Sequence, residues 1–269
     1  MKSSIKITER DIQIFRFLHA CKVASRKQIA KIFFSGSRVA TQARLSKLMR
    51  KKLILKVDRK SWLDNSDLYG LSKNGFLSMK NELENEIGGA LLSPRFKSDS
   101  IDHDLDLVEI RYHLESHEFT ENFWMENQIS SYPMFEKSEY IDFKTKRFDA
   151  VIEFINKKGN EYIAPLNYER SVKHSSRYID FFEKLYLDRH IPVLFVVCVN
   201  KLVTQAIQKI ELSVSRGQDE KVYYLSLDSL LSSKDELIFK GKDSGQITLL
   251  SRRLRSYTPL TACNREQTS

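Results

Sequence analysis

All of the excess positive charge of this 269-residue chain lies at one end. Residues 1–60 hold seventeen Lys or Arg against three acids, Glu9, Asp11 and Asp58, a net +14. The whole chain carries +9, so residues 61–269 sum to −5. Apolar residues recur through the basic segment with a helical period, so it reads as a compact unit with a broad solvated face. A basic unit attached to a mildly acidic body is the electrostatic footprint of nucleic-acid binding.

The order of elements in that unit narrows its fold. Thr8 is a helix N-cap, with Glu9 and Asp11 in a first turn where acids are favoured, and Ile12, Phe15 and Leu18 follow at helical spacing. A second helix starts at Ala24-Ser25, with Ile29, Ile32 and Phe33 on its apolar face, and Ser35-Gly36-Ser37 breaks it. A third runs from about Arg38 to Lys52 with Leu45, Leu48 and Met49 inward. Leu53–Val57 alternates as a strand, Asp64-Asn-Ser66 turns, Leu68–Leu71 returns, and Ser72-Lys-Asn-Gly opens a fourth helix. Three short helices followed by a β-hairpin form a winged helix-turn-helix, here residues 1–85. Its third helix would enter the major groove, presenting Gln42 to adenine and Ala43 to a thymine methyl. The cations Arg38, Arg44, Lys47, Arg50 and Lys51, with Arg59 and Lys60 on the wing, would position the duplex through phosphates.

Residues 86–100, rich in Gly, Pro and Ser without a strong period, read as a linker, and residues 256–269 as a disordered tail. Residues 101–255 then read as an α/β domain. A helix covers Asp102–Glu115, strands lie near Phe123–Glu126, Phe148–Ile155 and Tyr162–Tyr168, and Lys157–Asn160 turns the hairpin between the last two. Pro165 places its strand at an edge or bulge. A helix from about Ser175 to Leu187, a buried strand over 192–199, a helix from about Lys201 to Ser215 and a strand near Val222–Leu225 complete the run. Helix, three strands, helix, strand is the core order of restriction-endonuclease-like, PD-(D/E)XK nucleases.

Asp149 and Glu169 fall at the same end of the predicted hairpin, and alternation puts Asn167 and Glu169 on one face while Tyr168 points away. Two carboxylates so placed suit Mg²⁺ (or Mn²⁺), which takes oxygen ligands and keeps water. Lys173 stands where a migrated catalytic lysine would, Arg170 is a candidate phosphate contact, and Glu109 is a candidate extra carboxylate read more simply as an exposed helix acid. His103 reads as a helix-start or packing residue. None of the six histidines makes a His-x-His pair, and the chain has no phosphate-binding Gly-rich loop and no serine nucleophile elbow. Cys21, Cys198 and Cys263 make neither a disulfide framework nor a zinc spacing. With no apolar run long enough for a membrane span and no signal peptide, the chain reads as cytoplasmic.

Ile7–Leu18, Arg44–Leu48, Leu68–Gly75, His103-Asp-Leu105, Phe148-Asp149 and Asn167–Ser171 together resemble the replication-relaxation family, in particular its MOBC-type plasmid mobilisation relaxases. The resemblance implies a site-specific DNA nickase that acts on double-stranded DNA at a plasmid transfer origin, alongside relaxosome proteins, with Asp149 and Glu169 as metal ligands and Asn167 beside them. The family carries an acid where this chain has Asn167, and an amide is a weaker, neutral oxygen ligand. A weakened site, a binding-only accessory or regulator, and a deliberate substitution all remain open readings of that departure, as does cleavage by hydrolysis or through a covalent tyrosine.

Overall fold

The computed structural model describes residues 6–58, 67–82, 100–155 and 160–251. The chain is mixed α/β. Helix α1 (Glu9–Cys21) starts at a capping box in which the Thr8 side chain and the Asp11 carboxylate satisfy each other's backbone N–H groups. Ala24–Ser25 forms the short strand β1 instead of the first turn of a helix, and Ser25 caps α2 (Arg26–Phe33) with Gln28 closing a second capping box. Ser35 and Gly36 turn the chain through left-handed conformations, φ 48° and 80°, into α3 (Arg38–Arg50), capped by Ser37. Strands β2 (Ile54–Val57) and β3 (Leu68–Leu71) pair antiparallel with Ile54 opposite Leu71, and β1 pairs with the other side of β3. Helix α4 (Lys73–Glu82) closes this unit. The tip of the hairpin, with Asp64-Asn-Ser66, Arg59 and Lys60, lies outside the described residues, as do most of the linker, the turn at 157–159 and the tail.

The second unit begins with α5 (Ile101–Ser116) and the edge strand β4 (Asn122–Met125). Helix α6 (Glu126–Ser131), a 3-10 turn (Pro133–Glu136) and α7 (Ile141–Lys146) are inserted before β5 (Ala150–Ile155). Then come β6 (Glu161–Glu169), α8 (Ser175–Leu187), β7 (Leu194–Cys198), α9 (Lys201–Val214), β8 (Val222–Ser226), α10 (Leu227–Ser232), β9 (Glu236–Lys240) and β10 (Gln246–Leu250). The seven strands lie in the order β10-β9-β8-β7-β6-β5-β4. Pairs β6–β7 and β7–β8 are parallel and the rest antiparallel, as expected where helices α8 and α9 supply the crossovers. Pro165 lies in the middle of the sheet and not at its edge. The parallel ladder to β7 begins only at Leu166, so at Pro165 the strand is paired on the β5 side alone and the missing N–H is tolerated.

Alternation sorts the sheet into two buried faces. Leu194, Val196 and Cys198 of β7 meet Tyr178, Phe182 and Leu185 of α8 and Ile207 of α9. Phe195 and Val197 face the other way, with Ala150, Ile152, Leu166 and Tyr168, onto Leu107, Val108 and Ile110 of α5. That second cluster does not stop at the sheet. It runs on into Ile14, Phe15 and Leu18 of α1, so both units share one apolar interior. Polar contacts cross the same boundary: Lys22 pairs with Glu126 at 2.5 Å, Gln28 donates to the Leu105 carbonyl at 3.0 Å, and Asn127 donates to the His19 carbonyl at 2.8 Å. No described helix is long and apolar enough to cross a membrane.

Candidate active site and nucleic-acid interface

Register places the candidate carboxylates. Ala150 pairs with Leu166, so Asp149, one residue before β5, lies level with Asn167 on β6. Asp149, Asn167 and Glu169 share the parity of the face covered by α8, while Tyr168 points to α5 and donates its hydroxyl to Asp106 at 2.7 Å. Glu169, only 9% exposed, accepts from Lys173 Nζ at 2.9 and 2.8 Å and from the Tyr178 hydroxyl at 3.1 Å. Asp149 accepts from the Tyr168 backbone N–H at 2.8 Å, and its own N–H reaches Asn167 Oδ1 at 3.4 Å. Asp149, Glu169, Lys173 and Arg177 line two adjoining cavities of about 180 and 390 Å³. Asn167 and Arg147 face the smaller. His103 and, from the end of α1, Cys21 and Lys22 face the larger.

Sequence reasoning took His103 for a helix-start or packing residue. It stands at the first turn of α5 with Nε2 at 3.1 Å from the Tyr168 carbonyl and 3.4 Å from Asp149 Oδ2. Burial opposes a charge there, but hydrogen bonds to Asp104 and Asp149 outweigh it and raise the imidazole to about 10. His103 therefore carries its proton at neutral pH and sits as a cation against Asp149. The neighbouring acid Asp104 was the available signal. Tyr178 was missed as well. Burial, followed by the nearby Glu169 charge, pushes its phenol up, so it serves Glu169 as a neutral donor.

Two candidate contacts belong elsewhere. Arg170 is held by Asp102 and Asp106 of α5, each at 2.9 Å, and is not free for phosphate. Glu109 faces the N-terminal unit, accepting from Gln28 at 3.0 Å and pairing with Lys31 at 3.4 Å, and takes no part in the cleft. Its partners come from a distant stretch of sequence, which helical spacing alone does not reveal.

On α3, Thr41, Leu45 and Leu48 are buried, leaving Arg38, Ala43, Lys47 and Arg50 exposed, with Lys51 exposed at the C-cap. Gln42 is half-buried. Its amide oxygen accepts from Arg26 at 2.5 Å and its nitrogen donates to Ser46 at 3.1 Å, so base contact would require it to leave both partners. Arg44 is corrected from duplex contact to structural residue: its Nε donates to Asp11 at 2.7 Å and its Nη2 to the other carboxylate oxygen. A groove between Thr8–Gln13 and Ala40–Lys47 runs beside the exposed cations.

Mg²⁺ typically takes one or two protein carboxylates and completes its shell with substrate oxygens and water. Asp149, Glu169 and the Asn167 amide, facing one cleft, fit that donor set. Among the described residues no group of three or more His, Cys, Asp or Glu is arranged to hold a metal, and each carboxylate already has a protein cation beside it, Lys173 or His103. Comparison with protein-family models, curated proteins and solved structures gives no match.

Proposed function

We propose that the chain is a DNA-cutting protein, a winged helix-turn-helix joined to a restriction-endonuclease-like domain, which nicks duplex DNA site-specifically as a plasmid-transfer relaxase does. The observation that carries the reading is the cleft in which Asp149, Asn167 and Glu169 meet at one end of β5 and β6 with Lys173 on Glu169. The element order from α5 to β8 and the exposed cations of α3 support it. The transfer origin as target and relaxosome proteins as partners rest on the sequence resemblance.

In this reading Asp149 and Glu169 would hold Mg²⁺ or Mn²⁺, with Asn167 as a neutral oxygen beside them. When bound, a divalent ion supplies a Lewis acid for the phosphate and an acidified water. Lys173, which pairs with Glu169, would stand beside the bound phosphate or the attacking water. Tyr178 fixes the Glu169 carboxylate by donating to Oε2. His103 orients Asp149 and offsets its charge.

A binding-only accessory is the second reading. It is favoured by Asn167 together with the existing cation partners of both carboxylates, a set that is complete without metal. Titration calorimetry with Mn²⁺ separates the two. The nickase reading expects binding that Asp149→Asn abolishes and that Asn167→Asp tightens by about tenfold, roughly 1.4 kcal/mol. Absence of Mn²⁺ binding in both the parent and Asn167→Asp would favour the accessory.

A further inference from the structure

The cations around the cleft are nearly all neutralised. Lys22 pairs with Glu126, His103 with Asp104 and Asp149, Lys146 with Asp142 and Asp188, Arg170 with Asp102 and Asp106, and Lys173 with Glu169. Arg147 and Arg177 are different. Both line the cleft beside Asp149, Asn167 and Glu169, and among the described residues neither guanidinium makes an ion pair or hydrogen bond.

Neither arginine is there to suit its own element. Arg147 ends α7 in a left-handed conformation, φ 56° and ψ 58°, a place that favours Gly or Asn and costs other residues about 1 kcal/mol. Arg177 lies in the first turn of α8, where the helix dipole favours an acid and disfavours a cation. Local structure argues against arginine at both positions, and no ion pair rewards either of them. What the positions share is the cleft, and a guanidinium fork is suited to bidentate contact with phosphate oxygens.

We propose that Arg147 and Arg177 form a phosphate clamp that draws one backbone phosphodiester of a DNA strand into the cleft, next to Glu169. The proposal rests on the reading of the chain as a DNA-binding and DNA-cutting protein. It adds the residues that seat the strand, which α3 does not supply.

The test uses the full chain in EDTA, with the affinity for duplex DNA measured as a function of salt. Arg147→Asn suits the left-handed backbone and Arg177→Gln relieves the helix dipole, so the double variant should fold at least as stably as the parent. Its log–log salt slope should shrink by about 0.9, the contribution of the one phosphate the clamp seats. Lys234→Gln/Lys240→Gln, which removes the same charge from exposed positions away from the cleft, should leave the slope unchanged. Equal slopes for the parent and the Arg147/Arg177 variant would overturn the clamp. So would saturable binding of inorganic phosphate that the variant abolishes without a change in DNA slope, which would assign the arginines to a free phosphoryl group. Because no cleavage occurs in EDTA, a chain that loses slope yet never nicks would retain the clamp and reject the nickase. A chain that nicks with an unchanged slope would do the reverse.

Discussion

Asp11 has no exposed surface, yet it is charged. Burial alone would raise its carboxyl, but hydrogen bonds from Arg44 and Thr8 hold it below the usual range. Deleting Arg44 therefore strands a buried charge, a change that typically costs about 3–5 kcal/mol. Arg44→Ala should lower the urea midpoint sharply while the folded fraction keeps its affinity for duplex DNA. A variant of parental stability with weakened binding would return Arg44 to the phosphate contacts. His19 gives a pH signature. Burial lowers its imidazole to about 4, whereas in the unfolded chain it titrates near 6.5. The unfolded state thus takes up the proton first as pH falls. The stabilisation is complete above about pH 6.5 and is lost as pH falls toward 4, with about 2 kcal/mol gone by pH 5. Urea unfolding of the parent and of His19→Leu at pH 7.5 and pH 5 checks this: the difference between the two pH values should shrink in the variant.

Among the elements, α4 buries Phe76 and Met79 in the core and comes closest to the β2–β3 hairpin at Gly75. A Cβ on Gly75 would stand 2.0 Å from the Leu53 carbonyl oxygen and 2.7 Å from Leu71 Cδ1. Gly75→Ala must push α4 off the β2–β3 hairpin, at a cost of about 1–3 kcal/mol or more, readable as a fall in melting temperature. Equal melting temperatures would mean that α4 shifts freely. Helices with strong signals were legible in the sequence: α1 from Thr8 and its acidic first turn, α8 and α9 from long apolar periods. Strands β5 to β8 were legible from apolar runs bounded by turn residues. Segments of six residues or fewer, such as α6, α7 and α10, carry too few turns for a period to emerge. Strands β9 and β10 were also passed over, although Glu236–Lys240 alternates buried and exposed residues. Pro165 misled, because its position in β6 depends on where β7 begins to pair, and that lies in no local pattern.

Across the whole molecule, the apolar cluster shared by α1, α5 and the sheet makes the end of α1 a wall of the carboxylate cleft. A linker of low periodicity suggested separation instead, since side-chain contacts between distant segments leave no mark in the linker itself. The cleft was legible in part for the same reason. Asp149, Asn167 and Glu169 follow from strand alternation, whereas His103, Arg147 and Arg177 reach it from helix ends whose placement is tertiary. The central claim is that this cleft cuts DNA, and nicking of supercoiled plasmid tests it most directly. The plasmid should carry a duplex sequence selected by the full chain, and open circles are counted across a Mg²⁺ or Mn²⁺ titration. The parent should nick only with metal. Asp149→Asn and Glu169→Gln should lose at least about a hundredfold, the scale on which even outer-shell partners of a metal act. Asn167→Glu should nick faster than the parent. Silence from the parent and Asn167→Glu alike, with DNA binding intact, would contradict the account and leave a DNA-binding protein.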